Sequence, residues 1–314
     1  MVENDGMERF YTYIDRLASA LEKKDGIIYL EGINEALNYL LDDKTNHVLG
    51  SALSALFHTE KGHVVGRDFS KSDIRKAIQM ALLKGLKRAR ITNAQITPDS
   101  IGMFIAYLLD KLYPGEKPTT MFDPLIGTAN LATTIIIQSG RPIKVHGVDD
   151  DEMMLRLARN MCDALDMPHR LTFQDTLSYD SEPVDAIVTD FPPHKTSDAT
   201  YFPYGVILHH VRALTAGGFF IALVENDFFD RNGIDAFKAR LHEHARLYGL
   251  VKLDEGMFTT HAKSILIIRK HTKEQDDKEA FLLVDLPPFS DVAAFRDALD
   301  KMNLWFSKRK VDVQ

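Results

Sequence analysis

The chain has 314 residues, of which 45% are hydrophobic and 26% are charged, a composition typical of a soluble globular protein with room for two domains. The net charge of -7 argues against nonspecific binding of nucleic acid by the whole surface, although a local basic patch remains compatible with it. No apolar run approaches the roughly 20 residues that span a bilayer, residues 1–5 are acidic rather than a signal sequence, and Cys162 has no second cysteine to pair with. We therefore expect a cytoplasmic protein without a disulfide, a membrane segment or a membrane partner.

Residues 1–92 predict a helical N-terminal domain, because apolar residues recur there at helical spacing in four segments. The last segment, residues 70–90, has one acid, Asp73, among many cations. These cations are Lys71, Arg75, Lys76, Lys84, Lys87, Arg88 and Arg90. They form either a surface that contacts nucleic-acid phosphates or, as we favour, a solvated helix face whose cations interact with the helix dipole. His58 and His63 have no neighbouring ligands at metal-binding spacing, so no metal site is predicted.

Residues 93–275 predict an α/β core, because strands alternate with helices in the pattern of a doubly wound, mostly parallel sheet covered on both faces. The seven predicted strands lie at 119–122, 143–149, 170–175, 184–190, 218–225, 247–253 and 264–269. The last two are typical of a closing pair in which one edge strand is antiparallel. Residues 276–314 add a short strand, 281–284, and a helix ending near Trp305, both packed on the core.

A strand, a tight turn and the start of a helix follow one another at residues 119–130. Asp123-Pro124 ends the strand, because proline has no amide hydrogen to give to a sheet, and Gly127 allows a backbone conformation or a close ligand approach that a Cβ would block. Such a turn forms a ligand crevice at the carboxyl end of a parallel sheet. It lacks the three glycines of a dinucleotide fingerprint, which argues against a nicotinamide enzyme. Its carboxylate would attract a ligand with an amine and a sulfonium, such as S-adenosylmethionine (SAM); the alternative is an ordinary turn.

Four acids, Asp123, Asp149, Asp175 and Asp190, each end a predicted strand. In a parallel sheet they face one crevice, which indicates a polar ligand lying across the end of the sheet. Asp149 is placed to accept hydrogen bonds from both ribose hydroxyls of a nucleoside, and Asp175 could accept one from an adenine amino group. The alternative, which stays open most of all for Asp175, is that such acids cap helices or lie in solvated loops.

The fourth strand ends in Asp190-Phe191-Pro192-Pro193, and we expect an irregular loop from there to Pro203. A rigid carbonyl and a carboxylate aimed into the crevice can hold an exocyclic amine by its hydrogens and orient its lone pair towards a methyl sulfonium. Methyl transfer to an amine needs mainly such alignment and local electrostatics. The alternative is a loop that the prolines merely stiffen.

Taken together, these motifs resemble the adenine-specific DNA methyltransferases related to the modification subunit of type I restriction systems, above all a stand-alone group from Gram-positive bacteria. The similarity extends from about Ile96 to the C-terminus. The matching segments are Thr97-Pro98, Asp123-Pro124-Leu125-Ile126-Gly127-Thr128, Gly147-Val148-Asp149, Gln174-Asp175-Thr176-Leu177, residues 251–258 and residues 263–268. The ordered set is specific, although each motif alone is not.

The resemblance implies a Rossmann-like, SAM-dependent methyltransferase that acts on adenine N6 in DNA, with a specificity partner or a second copy of the chain as a further partner. The implied cofactor-binding residues are Thr97, Asp123, Pro124, Gly127, Thr128, Asp149, Asp150, Asp175 and Thr176. The implied catalytic residues are Asp190, Phe191, Pro192 and Pro193.

The catalytic segment departs from the family pattern of Asn/Asp-Pro-Pro-aromatic. Phe191 replaces the first proline, and Pro193 replaces the aromatic residue that stacks on a flipped base. The aromatic residues that could substitute for it are Phe191, Tyr201, Phe202 and Tyr204. Ile96 also stands where many relatives have an aromatic residue, and Ala129 where many have glycine. No separate target-recognition domain is apparent in the sequence.

Two other functions remain open. The altered segment after Asp190 is compatible with a non-catalytic module that retained the SAM site and lost the base pocket. A methyltransferase of protein glutamine or of RNA is the second, although residues 253–269 favour the DNA family. Cytosine C5 methylation is disfavoured, because it needs a cysteine in a loop and Cys162 lies in a predicted helix.

Overall fold

The computed structural model describes residues 5–91, 96–115, 118–193, 201–258, 261–272 and 280–310. The α-helices in these ranges are α1 (Asp5–Asp25), α2 (Tyr29–Asp42), α3 (Ser51–Gly62), α4 (Lys71–Arg88), α5 (Asp99–Leu112), α6 (Asn130–Ser139), α7 (Glu152–Ala164), α8 (Phe202–His210), α9 (Ile234–His242) and α10 (Val292–Lys310). The strands are β1 (Thr120–Asp123), β2 (Lys144–Asp149), β3 (His169–Phe173), β4 (Val184–Asp190), β5 (Leu214–Glu225), β6 (Ala245–Lys252), β7 (Lys263–Lys270) and β8 (Leu282–Asp285).

Helices α1 to α4 form the predicted helical N-terminal region. The apolar stripe of α1, which includes Ile14 and Leu17, is fully buried against α2 and α4. The bundle also packs on the α/β core, since α2 contacts α7 and α4 contacts α6. An ion pair also joins α2 to α7, where the two terminal guanidinium nitrogens of Arg156 donate to the carboxylate of Glu31, at 2.7 and 2.6 Å. The predicted domain boundaries, after residues 92 and 275, both lie outside the described residues.

The strands form one mixed sheet in the order β3-β2-β1-β4-β5-β7-β6-β8. Neighbouring strands are parallel except that β7 runs antiparallel to both β5 and β6, which confirms the predicted closing pair. Helices cover both faces, so the central strands are almost continuously apolar and buried. The chain leaves β1 towards β2 on one side, whereas β4 lies on its other side. This switch in strand order opens a crevice at the carboxyl ends of β1, β2 and β4.

The sheet has eight strands and not the seven predicted, because the short C-terminal strand, which was expected only to pack on the core, joins the sheet. Strand β8 pairs in parallel with β6 and becomes the edge of the sheet. Gly249 of β6 lies opposite Leu282, and a Cβ at Gly249 would stand 2.8 Å from the Leu282 Cβ. A glycine at this position is therefore what allows the eighth strand to approach.

Between β4 and β6, one boundary differs from the prediction and one helix was not predicted. An irregular loop was expected as far as Pro203, but α8 already begins at Phe202, because proline is tolerated in the first turn of a helix. Helix α9 is not predicted from apolar spacing at all. It has nine residues, and only Phe237 and Leu241 of them are buried, too few for a clear stripe.

We predict that Gly249→Ala lowers the free energy of unfolding by about 1–3 kcal/mol, as overpacking of a close contact does, because the new Cβ meets Leu282 of β8. Gly62→Ala is the matched control, since nothing lies within 4 Å of the Cβ it would add. The measurement is urea unfolding of both variants and the parent. Equal midpoints for the two variants would show that β8 is not closely paired with β6.

Candidate functional site

A cleft of about 290 Å³ opens at the carboxyl ends of β1, β2 and β4. Its volume lies near the lower end of the range of about 300–1,000 Å³ usual for small-molecule sites. The predicted site residues that line it are Thr97, Asp123, Gly127, Thr128, Asp149, Asp150, Asp190 and Pro192. Apolar side chains, among them Ile126 and Met154, complete the wall. Residues far apart in the sequence are thus brought together as the parallel topology predicts.

The turn between β1 and α6 gives the cleft its floor. The amide of Ile126 donates to the carbonyl of Val148 at 3.1 Å, which fastens the turn to β2. Gly127 has a φ of +51° and no heavy atom near the position of a Cβ, so it keeps this side of the turn open. Ala129 has a φ of +59°, a left-handed conformation that costs an alanine more than a glycine. This conformation is the physical reason why glycine suits the position.

Asp149 joins the turn to the end of β2. Its carboxylate accepts hydrogen bonds from the amide of Gly127 at 2.8 Å and from the amide of Asp151 at 2.9 Å. Burial raises the pKa of Asp149, and these two amides act against that rise. A carboxylate has about four lone-pair positions, so Asp149 keeps free acceptor capacity towards the cleft that it lines.

Asp123 is almost completely buried, with 4% of its surface exposed. Burial raises the pKa of Asp123 from 3.8 to about 7, and the nearby carboxylates of Asp149 and Asp190 act in the same direction. The amide of Leu125 donates to Asp123 Oδ1 at 3.0 Å and partly offsets the rise. Asp123 is therefore a carboxyl group of the cleft whose charge depends on pH near neutrality.

Asp190 has partners on both of its carboxylate oxygens. The hydroxyl of Thr97 donates to Oδ2 at 2.7 Å, and the ammonium of Lys263 donates to Oδ1. The same ammonium donates to the carbonyl of Phe191 at 2.7 Å. The position of Thr97 before Pro98 is typical of a helix cap, but its side chain holds Asp190 instead. Helix α5 therefore begins after Pro98 without a side-chain cap.

Lys263 is the site residue that sequence reasoning missed as a functional group. It is the first residue of the apolar strand β7, and it is 5% exposed. Because β7 runs antiparallel to β5, the first residue of β7 lies at the same end of the sheet as the carboxyl end of β4. A lone lysine at the start of a buried strand was the available signal, but its partner follows only from the strand order.

Five predicted site residues do not line the cleft: Pro124, Asp175, Thr176, Phe191 and Pro193. The carboxylate of Asp175 accepts from the amide of Ser178 at 3.0 Å and caps the short 3-10 helix Thr176–Ser178. The hydroxyl of Thr176 lies 2.9 Å from His210 Nε2 in the interior. Asp175 therefore follows the alternative that the sequence left open, a capping role.

The aromatic residues considered as replacements for the missing stacking residue lie in the interior. Phe191, Tyr201 and Tyr204 are buried, and the half-buried Phe202 packs edge-to-face on Phe191. The hydroxyl of Tyr204 donates to the carbonyl of Phe228 at 2.5 Å. Among the described residues that line the cleft none is aromatic. His194 and the rest of the segment up to residue 200 lie outside the described residues.

The helical region reaches the cleft through α4. Leu86 lines the cleft directly. Arg75, only 2% exposed, pairs with Asp99 at the start of α5 and donates to Asn130 Oδ1 at 3.2 Å at the start of α6. The amide of the Asn130 side chain donates in turn to the carbonyl of Thr97 at 3.0 Å. Helix α4 thereby fixes the starts of α5 and α6 beside the cleft.

The same contacts change the interpretation of the cations on α4. Arg75 is buried, Lys84 pairs with Asp15, and Arg88 pairs with Glu22. Lys71 donates to the carbonyl of Asp166 at 3.2 Å. More than half of the predicted basic face thus makes contacts within the protein, which favours neither a free phosphate-binding surface nor a purely solvated one.

Comparisons with known proteins agree with this architecture. Residues 8–86 match the family described as the YtxK N-terminal helical domain. YtxK of Bacillus subtilis, a protein described as uncharacterized, is 27% identical over 333 aligned positions, which cover 98% of this chain and 100% of YtxK. That bacterium is Gram-positive, as the resemblance implied.

Solved structures show the same fold. A Listeria monocytogenes protein that is provisionally named a class I SAM-dependent methyltransferase has a TM-score of 0.86 at 27% identity, over 96% of this chain and 99% of that chain. The methyltransferase subunit of a type I restriction-modification system from Streptococcus thermophilus has a TM-score of 0.55 at 14% identity, over 85% of this chain and 66% of that chain. The predicted fold class, a SAM-dependent methyltransferase sheet with a helical N-terminal region, is therefore confirmed.

Two further features of the described residues bear on function. No helix among them is long and apolar enough to cross a membrane. The described ranges also contain no group of three or more His, Cys, Asp or Glu side chains arranged to hold a metal ion.

We predict that Asp123 makes the ligand-free protein less stable as the pH rises. Asp123 keeps its proton in the folded chain up to a pH of about 7, whereas in the unfolded chain it loses it near its ordinary pKa of about 3.9. Over this interval the folded state binds more protons than the unfolded state. The stabilisation that Asp123 contributes is therefore complete below its pKa in the unfolded chain, and it is lost as the pH rises through its pKa in the folded chain.

Asp123→Asn should flatten that pH dependence, because the amide does not titrate. The measurement is the urea-unfolding free energy below and above this interval. Asp180→Asn, which alters a side chain that is 95% exposed, is the control and should follow the parent. An unchanged pH dependence in Asp123→Asn would contradict the assignment.

Proposed function

We propose that the protein is a SAM-dependent methyltransferase that binds SAM in the cleft at the ends of β1, β2 and β4. The observation that carries the proposal is the convergence of three strand-end carboxylates, Asp123, Asp149 and Asp190, on one cleft of suitable size. SAM has two cationic groups in its methionine part, and a cleft with three carboxylates attracts such a ligand. The fold shared with the Listeria protein supports the same conclusion.

The residues present fit this cofactor. The hydroxyl of Thr128 is buried, lines the cleft and has no hydrogen-bond partner among the described residues, so a polar ligand would satisfy it. Asp149, held by the Gly127 amide, has lone pairs left for two ribose hydroxyls. Asp123 would face the cationic methionine part and Asp150 lines the rim. When bound, SAM supplies an activated methyl group on its sulfonium; the chain's part is to bind and orient the reactants.

The acceptor that the resemblance supports is adenine N6 in DNA, an assignment that rests on motif order and not on the fold alone. In this proposal the Asp190 carboxylate and the Phe191 carbonyl accept the hydrogens of the acceptor amine and fix the direction of its lone pair, which is an alignment effect. Pro192 lines the cleft beside them. A specificity partner, or a second copy of the chain, would supply the recognition of the target sequence.

A second candidate function, a SAM-binding module without transfer to an amine, is favoured by one observation. The ammonium of Lys263 already contacts both Asp190 and the Phe191 carbonyl, the groups that the acceptor amine would need.

We predict that Asp149→Ala weakens SAM binding at least tenfold, because losing a charge-assisted hydrogen-bond acceptor typically costs about 1.5–3 kcal/mol. Calorimetric titration with SAM measures the change. Asp180→Ala is the control, an acid whose side chain is 95% exposed, and it should bind SAM like the parent. Near-parental SAM binding by folded Asp149→Ala would refute the ribose assignment.

The enzymatic proposal is tested by tritiated methyl transfer from SAM to unmethylated duplex DNA, with SAM affinity measured in parallel. We expect incorporation by the parent and none by Asp190→Ala. Because that variant leaves the buried Lys263 ammonium without its carboxylate, its retained SAM affinity serves as the check that it is folded. Transfer at the parental rate by Asp190→Ala would contradict the catalytic role. Tight SAM binding by the parent without incorporation, with RNA and protein acceptors also inert, would support the second candidate.

A further inference from the structure

Lys263 is a buried cation beside the cleft, and it contacts the proposed acceptor-holding groups. Its side chain is 6% exposed, and that of Asp190 is 16% exposed. The ammonium donates to Asp190 Oδ1 and, at 2.7 Å, to the carbonyl of Phe191. These two oxygens lie at the end of β4, whereas Lys263 reaches them from β7, two strands away in the sheet.

The contacts of this ammonium are those that an acceptor amine would make. An amine held for methyl transfer presents hydrogens to two fixed oxygen acceptors, so that its position is set by the protein. Lys263 presents a nitrogen with three hydrogens to one carboxylate and one carbonyl. The remaining oxygen of Asp190 accepts from the Thr97 hydroxyl at 2.7 Å. Every oxygen of Asp190, together with the Phe191 carbonyl, is thus already engaged by the chain itself.

The pairing is also strongly maintained. A buried charge without its partner is much less favourable than the intact pair, so Asp190 gives up the Lys263 ammonium only when another N–H donor takes its place. An acceptor amine is such a donor; because it must be neutral to keep its lone pair, it replaces the N–H groups of Lys263 but not the charge.

We propose that Lys263 fills the amine-acceptor position of this site, so that the resting chain holds this position closed by its own ammonium. The inference deepens the proposed function and rests on it for two statements, that SAM occupies the neighbouring cleft and that Asp190 and the Phe191 carbonyl hold the acceptor amine. An acceptor amine is then admitted to the two oxygens only when Lys263 leaves them.

The test is to replace the missing side chain with a free amine. Lys263→Ala removes the ammonium and three methylene groups, and propylammonium has the same atoms beyond the Cβ. We expect the melting temperature of Lys263→Ala to rise saturably, by several degrees, with propylammonium, because a ligand that binds only the folded state stabilises it. Propanol, which has no charge, and tetramethylammonium, which has no N–H group, should not produce this rise.

Lys252→Ala is the matched control variant. Lys252 is the last residue of β6, lies at the same end of the sheet next to β7, and is exposed. Neither Lys252→Ala nor the parent should respond to propylammonium. A folded Lys263→Ala protein that shows no saturable rise, or the same rise with propanol, would overturn the inference.

A measurement on the unaltered chain covers the case in which Lys263→Ala does not fold. Brief acetylation followed by peptide mass spectrometry should label the exposed Lys252 at least tenfold faster than Lys263, because a buried, paired ammonium is a poor nucleophile. Equal labelling of the two lysines would show that the closed position does not exist in solution and would overturn the inference.

SAM titration of the parent and of Lys263→Ala separates this inference from the proposed function. An amine-dependent rise without SAM binding by either protein would uphold the closed amine position and refute the proposed cofactor. SAM binding without an amine-dependent rise would refute the closed amine position and support the proposed cofactor.

Discussion

Three carboxylates share one buried crevice, and the cost of placing like charges in a region of low dielectric governs the contacts around them. Each carboxylate is compensated differently. Asp149 accepts two backbone amide hydrogens, and Asp190 has an ammonium and a hydroxyl. Asp123 has the Leu125 amide and the neighbouring Thr189 hydroxyl, which together do not offset its burial, so its pKa rises to about 7. Asp123 is thus the least compensated of the three acids, so a bound cationic ligand stabilises its charged form the most.

The same constraint explains why the helical region is not an independent appendage. The turn that supports Asp149 is followed by α6, whose first residue, Asn130, is held by the buried Arg75 of α4. Arg75 also pairs with Asp99 at the start of α5 and so fixes Thr97, which holds Asp190. Two of the three acids are thus positioned through a helix that sequence patterning assigns to a separate domain. Displacing α4 would therefore alter the cleft through the contact of Arg75 with Asn130 as well as through Leu86, which lines the cleft itself.

The sequence predicts the sheet and the place of the crevice because both depend on local signals. Buried apolar runs that end in Asp, Gly or Pro mark the strand ends, and parallel topology brings those ends together. Local signals do not separate Asp149 from Asp175, because a strand-end acid that lines the cleft and one that caps a 3-10 helix occur in the same pattern. The contact between Lys263 and Asp190 joins residues 73 positions apart and depends on the insertion of β7 beside β5, which no short motif encodes.

The two departures in the catalytic segment have different physical consequences. Replacing a proline with Phe191 keeps the backbone carbonyl, which still accepts a hydrogen bond. The Phe191 side chain is buried in the interior. Replacing the aromatic residue with Pro193 removes a stacking surface, and no aromatic side chain among the described lining residues restores it. At this end of the cleft the described residues therefore offer charge and hydrogen bonding, the interactions that Lys263 makes, in place of the planar contacts on which a flipped base stacks.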